Sequence, residues 1–95
     1  MYISVQIEDF DVKDIISRLC NERRDIGAIV TFSGRVRDQS STNDLIALEL
    51  EHYPAMTEKA LKSIADMAMH KWDIDDLAIV HRVGRLQAAE NIVLV

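Results

Sequence analysis

The chain has 95 residues, 48% of them hydrophobic and 28% charged, with three glycines and one proline, so one domain over residues 1–95 is expected and collagen-like or disordered chains are excluded. Eleven Lys and Arg against sixteen Asp and Glu give a net charge of −5; no global basic field draws the molecule to nucleic acid or anionic lipid, and any anion site has to be local. The single Cys20 excludes an internal disulfide framework and a multi-thiolate zinc site, and together with the lack of a membrane-length apolar run or a basic signal-peptide flank it points to a cytoplasmic chain with no membrane partner.

Residues 2–7 alternate apolar and polar with β-branched enrichment, the period of a half-buried strand. After Asp11, the residues Val12, Ile15, Ile16, Leu19 and Cys20 recur at helical spacing, which predicts a helix capped by Asp11, with Asp14 in its first turn, ending within residues 21–25. Cys20 falls on the buried stripe and reads as a core thiol rather than a nucleophile. Residues 27–37 read as the central strand. Ala28, Val30, Phe32 and Val36 share one face and Thr31, Ser33, Arg35 and Arg37 the other, beside a Gly34 that admits a close backbone neighbour. Residues 38–44 are a polar loop. Residues 45–52 form a further strand, with Ile46, Leu48, Leu50 and His52 on one face and Ala47, Glu49 and Glu51 on the other; a hairpin with the preceding strand is the simplest pairing.

Pro54 suits the first turn of a second helix running to about Trp72. Leu61, Ile64, Ala65, Ala68 and Trp72 make its stripe, Glu58 and Lys62 pair on the wet side, and Met56, Met67 and Met69 are filler beside Trp72. Residues 73–76 break the helix. Residues 77–83 are a nearly continuous apolar strand ended by Gly84, and residues 91–95 begin a final strand. The order is β-α-β-β-α-β-β, an α/β (α+β) fold.

The candidate chemistry is sparse. His52, His70 and His81 lack ligand spacing, so no metal site is expected. His52 and His81 fall on strands that could meet, as structural histidines or as an acid–base pair. Asp73, Asp75 and Asp76 lack the pattern of a calcium loop and read as a solvated turn. Arg35, Arg37, Arg82 and Arg85 are open to two readings. Their forked donors could build a small anion pocket, or Arg35 or Arg37 could pair across the hairpin with Glu49 or Glu51.

The segments GAIVTFSGRVRD (27–38), LELEHYPAMTEKAL (48–61) and IVHRVGRL (79–86) resemble, in order and spacing, the large, catalytic subunit of molybdopterin synthase. The resemblance covers nearly all of the chain but only the N-terminal two thirds of a typical family member. It implies an α/β hammerhead-like fold, incomplete at the C-terminus, and a sulfur transferase of molybdenum cofactor biosynthesis that needs no cofactor of its own. Such an enzyme takes sulfur from the C-terminal thiocarboxylate of a small ubiquitin-like sulfur-carrier subunit and converts cyclic pyranopterin monophosphate into the dithiolene of molybdopterin. The implied partners are that carrier, the pterin and a second copy of the subunit, as a homodimer within a heterotetramer.

The family's Gly-basic-Val-Arg motif matches Gly34, Arg35, Val36 and Arg37. The resemblance therefore makes Arg35, Val36 and Arg37 the candidate substrate-binding residues, with Arg37 meeting the anionic groups, Arg35 assisting and Val36 fixing the strand. The family's Ser-Ala-His-Arg-like motif and two catalytic lysines fall beyond Val95; Lys59, Lys62 and Lys71 belong to another segment. No catalytic residue is expected within residues 1–95, and the chain alone is expected to be inactive. The family's Pro-Gly-Asp turn is replaced by Gln87-Ala88-Ala89-Glu90. The apolar residues 92–95 are expected to form an exposed edge that needs a cover, as in a truncated domain. A different class also fits: a non-catalytic partner-binding module that retains the family scaffold.

Overall fold

Period-2 alternation near the start of the chain becomes strand β1 (Tyr2–Gln6), and the apolar stripe after Asp11 becomes helix α1 (Val12–Cys20), in the computed structural model, which describes residues 1–38, 47–50 and 57–95. Asp11 caps α1 as expected, its carboxylate accepting from the N–H of Lys13 at 2.8 Å and of Asp14 at 3.2 Å. The stripe, Cys20 included, is half-buried. Next come β2 (Ser33–Arg35), β3 (Ala47–Leu50), α2 (Glu58–Lys71), β4 (Ala78–Arg82), β5 (Gly84–Gln87) and β6 (Asn91–Leu94). The mixed α/β fold expected from the sequence is the fold that forms. No helix among the described residues is long and apolar enough to cross a membrane.

Strands β1, β4, β6 and β2 form one sheet in that order, and β3 and β5 form a second. β1 and β4 run parallel, from Tyr2 opposite Ala78 to Gln6 opposite Arg82; β4–β6, β6–β2 and β3–β5 are antiparallel. Ala78, Ile79 and Val80 of β4 are all buried, which explains the continuous apolar run there, and Val36, Ala65, Val83, Leu86 and Leu94 complete the core.

Three expectations are corrected and a fourth is extended. Residues 27–37 are not a central strand: β2 is a short edge strand, and of the apolar face only Val36 is buried, whereas Val30 is 89% and Phe32 64% exposed. The ladder reaches only as far as Phe32, which exchanges two backbone hydrogen bonds of 2.8 Å with Val95. The β2–β3 hairpin does not form, because β2 pairs with β6 and β3 with β5. The apolar ending is no exposed edge: β6 lies between β4 and β2, and Leu94 is buried. Finally, Gly84 does more than end the apolar run, β4 having stopped at Arg82; it is also a corner. Its φ of +93°, readily adopted only by glycine, redirects the chain into the unpredicted strand β5, where Leu86 points inward between exposed Arg85 and Gln87.

Helix α2 begins later than predicted, with the Thr57 hydroxyl accepting from Ala60 N–H at 3.1 Å. Its inner face is narrower than the predicted stripe. Ala65 is buried and Leu61 and Ala68 half-buried, but Ile64, Met67 and Trp72 are exposed, because the helix seats on the edge strand β1 rather than on a broad sheet face. The Glu58 carboxylate accepts from Val5 N–H at 3.1 Å, tying the helix to that edge. Residues 39–44 of the predicted loop, together with Leu45, Ile46, Glu51, His52, Pro54 and Met56, lie outside the described residues.

Candidate functional site

Val36 is the centre of the candidate site. It is buried, and its backbone is fully engaged: its N–H donates to Glu90 O at 2.9 Å, and its carbonyl accepts from Ala89 N–H at 2.8 Å. Arg35 and Arg37, on either side of it, are both exposed. Alternation about a buried residue thus sends the two arginines out on the solvent side, as the period-2 reading expects.

Gly34, one residue earlier, lies opposite Val93, and a Cβ placed on it would sit 2.8 Å from Val93 Cγ1. The close neighbour expected at this glycine is therefore β6. Between Gly34 and Arg35 the register shifts, so that Arg35 pairs with Asn91 and skips a residue of β6. Such an irregularity bends the edge and re-aims the side chains that follow.

Arg35 reaches the turn that follows β5. Its Nε and Nη2 both donate to the carbonyl oxygen of Ala89, at 3.1 and 2.5 Å. Ala89 is the third residue of the turn over residues 87–90, closed by Glu90 N–H on Gln87 O at 3.1 Å. The Glu90 carboxylate accepts in return from Gln87 N–H at 2.5 Å. Ala89 has φ +72°, the left-handed position of a type II turn, where glycine is usual. The Gln-Ala-Ala-Glu segment thus keeps a tight turn by accepting a strained alanine and bracing it from β2.

The other arginines have separate tasks. Arg82 is buried, with its Nε and Nη2 on Ile7 O at 3.1 and 2.9 Å and its Nη1 on Asn91 O at 3.1 Å. The carboxylates of Asp9 and Glu90 each lie 3.8 Å from its Nη1. It is a structural clamp joining the end of β1 to the start of β6. Hydrogen bonds from the Asn91 amide and the Phe10 N–H, with the Arg82 charge, hold the Asp9 carboxyl below the usual range. Arg85 stands on the second sheet, where the backbone register sets it opposite Glu49; the hairpin alternative had set Arg35 or Arg37 against Glu49 or Glu51.

His81 is half-buried, with Nδ1 2.7 Å from the Arg82 carbonyl oxygen, a contact in which the ring nitrogen donates. Its predicted companion His52 lies outside the described residues. Asp76 is more than part of a solvated turn. It accepts from Leu77 N–H at 2.9 Å and holds the Met1 ammonium at 2.7 Å, and that ammonium lowers its carboxyl below the ordinary value. No group of three His, Cys, Asp or Glu that could hold a metal ion occurs among the described residues.

Residues 89–91 were not among the sequence candidates, yet two arginines converge on them, Arg35 at the Ala89 carbonyl and Arg82 at the Asn91 carbonyl. The only sequence signal was the unusual turn at residues 87–90. What the edge offers chemically is cationic donors rooted on a buried, doubly bonded valine, a setting suited to phosphate or carboxylate recognition.

Comparison with known proteins agrees in family and fold. The family model described as MoaE protein matches residues 5–95. A molybdopterin synthase catalytic subunit from Brucella melitensis is 48% identical over 93 residues, covering 98% of this chain and 56% of that protein. One from Ralstonia nicotianae is 48% identical, with 98% and 53% covered. Among solved structures, the molybdopterin biosynthesis MoaE protein from Burkholderia ambifaria superposes with a TM-score of 0.81 at 46% identity, covering 99% of this chain and 60% of that one. Molybdopterin synthase from Staphylococcus aureus gives 0.78 at 36% identity, with 95% and 64% covered. The chain spans little more than half the length of the curated relatives it matches.

Proposed function

The chain belongs to the MoaE protein family, and from that premise we propose that it performs the substrate-binding part of a molybdopterin synthase catalytic subunit in molybdenum cofactor biosynthesis. Arg37 binds the anionic groups of cyclic pyranopterin monophosphate, and the partner is a small sulfur-carrier subunit bearing a C-terminal thiocarboxylate. A second copy of the subunit completes the assembly as a homodimer within a heterotetramer. The observation that carries this reading is the burial of Val36 with both its backbone groups bonded, which gives the exposed arginines beside it a fixed origin. A rigidly rooted cation recognises phosphate without first paying the entropy of ordering its own backbone.

Residues 1–95 by themselves supply binding and not sulfur transfer. The test is titration of the 95-residue protein with the cyclic pterin and, separately, with thiocarboxylated carrier, followed by a product assay with both present. Pterin binding weakened about tenfold or more by Arg37→Ala, roughly 1.4 kcal/mol, with no product formed, supports the proposal. Pterin binding indifferent to Arg37→Ala returns that arginine to a structural role, carrier binding without pterin binding favours the partner-binding module, and product formation by this chain alone overturns the division of labour.

A further inference from the structure

We propose that Arg35 and Arg37, the two exposed arginines that flank Val36, have different functions: Arg35 is a positioning residue that braces the turn over residues 87–90, while Arg37 meets the ligand. This deepens the reading above and rests on it for the ligand's identity.

The argument starts from the geometry of a guanidinium. Its Nε and one Nη form the edge that grips an oxyanion in the forked mode. In Arg35 both of those atoms are on the carbonyl oxygen of Ala89, at 3.1 and 2.5 Å. A phosphate entering by that edge has to displace the carbonyl, and the carbonyl belongs to a residue with φ +72°. A left-handed alanine is disfavoured by about 1–2 kcal/mol, so the turn persists only while its neighbours hold it. Three groups of β2 and the residue after it do so: the Arg35 guanidinium on Ala89 O, the Val36 carbonyl on Ala89 N–H, and the Val36 N–H on Glu90 O.

Those contacts are reciprocal. The braced turn is also what fixes the backbone of Val36, and the backbone of Val36 is the root of Arg37. Loosening Arg35 therefore displaces Arg37 without touching the ligand. A lysine at position 35 keeps the charge but lacks the planar fork, so a charge role and a bracing role separate cleanly.

The experiment combines amide hydrogen exchange at Ala89 and Glu90 on the ligand-free protein with titration by cyclic pyranopterin monophosphate. Arg35→Lys and Arg35→Gln are each expected to speed exchange at Ala89 by about three- to tenfold, the worth of one lost hydrogen bond, and to weaken pterin binding. Adding Ala89→Gly, which relieves the left-handed strain, is expected to restore much of the binding to both variants. Arg37→Gln is expected to weaken binding about tenfold or more, with no rescue by Ala89→Gly. The proposal is overturned if Arg35→Lys binds pterin as well as the wild type while Arg35→Gln does not, or if Arg35→Gln leaves exchange at Ala89 unchanged. Failure of the unsubstituted protein to bind pterin overturns the functional reading instead, and the exchange result still decides whether Arg35 braces the turn.

Discussion

Gly34 and Val93 face each other across the β2–β6 ladder so closely that a single added carbon on Gly34 would stand 2.8 Å from Val93 Cγ1. This contact sets how near the arginine-bearing edge lies to the sheet interior. Gly34→Ala is expected to destabilise the protein by about 1–3 kcal/mol, the usual penalty of overpacking, and Val93→Ala in the same chain is expected to recover part of the loss. Denaturant titration of the two single variants and the double variant measures the coupling; strict additivity would refute the contact.

Arg82 donates to the carbonyls of Ile7 and Asn91 from a position only 7% exposed. Removing it leaves acceptors without their donor, so Arg82→Met is expected to lower stability by about 2–4 kcal/mol. Arg82→Lys recovers little, because one ammonium cannot reproduce a fork that spans two strands' ends. Thermal unfolding distinguishes these outcomes from that of Arg85→Met, at an exposed position of β5, which is expected to change stability by less than about 0.5 kcal/mol.

Acid sensitivity follows from Asp76 and Asp9. Both carboxyls are held below their ordinary values in the folded protein, Asp76 first by the Met1 ammonium and Asp9 first by the Asn91 amide. A folded-state value below the unfolded one, about 3.9, means the stabilisation is complete at neutral pH and is lost as pH falls through the folded-state values. The urea midpoint is therefore expected to fall below about pH 4. Asp76→Asn is expected to flatten that slope, and acetylation of the N-terminus to do the same without any side-chain change.

Ala89→Gly removes a left-handed side chain at φ +72° and is expected to stabilise the protein by about 0.5–1 kcal/mol, the relief of strain exceeding the added freedom of the unfolded chain. A raised melting temperature is the check; an unchanged or lowered one would show that the turn is not strained.

Periodicity alone made β1, α1, the core of α2 and β4 readable, down to the Asp11 cap and the placement of Val36 between two outward arginines. These properties are written in the spacing of side chains within one element, and local sterics enforce them wherever the element ends up. The partners of β2 and β3, the interior place of β6 and the corner at Gly84 were decided only in three dimensions. Strand pairing joins backbone groups that every residue carries alike, so residues 33–35 give no sign that they will choose residues 91–94 over the nearer strand. The same reason hid the partner of Arg35: its acceptor is a main-chain carbonyl, a group invisible in any side-chain pattern, brought within reach by the turn that follows β5.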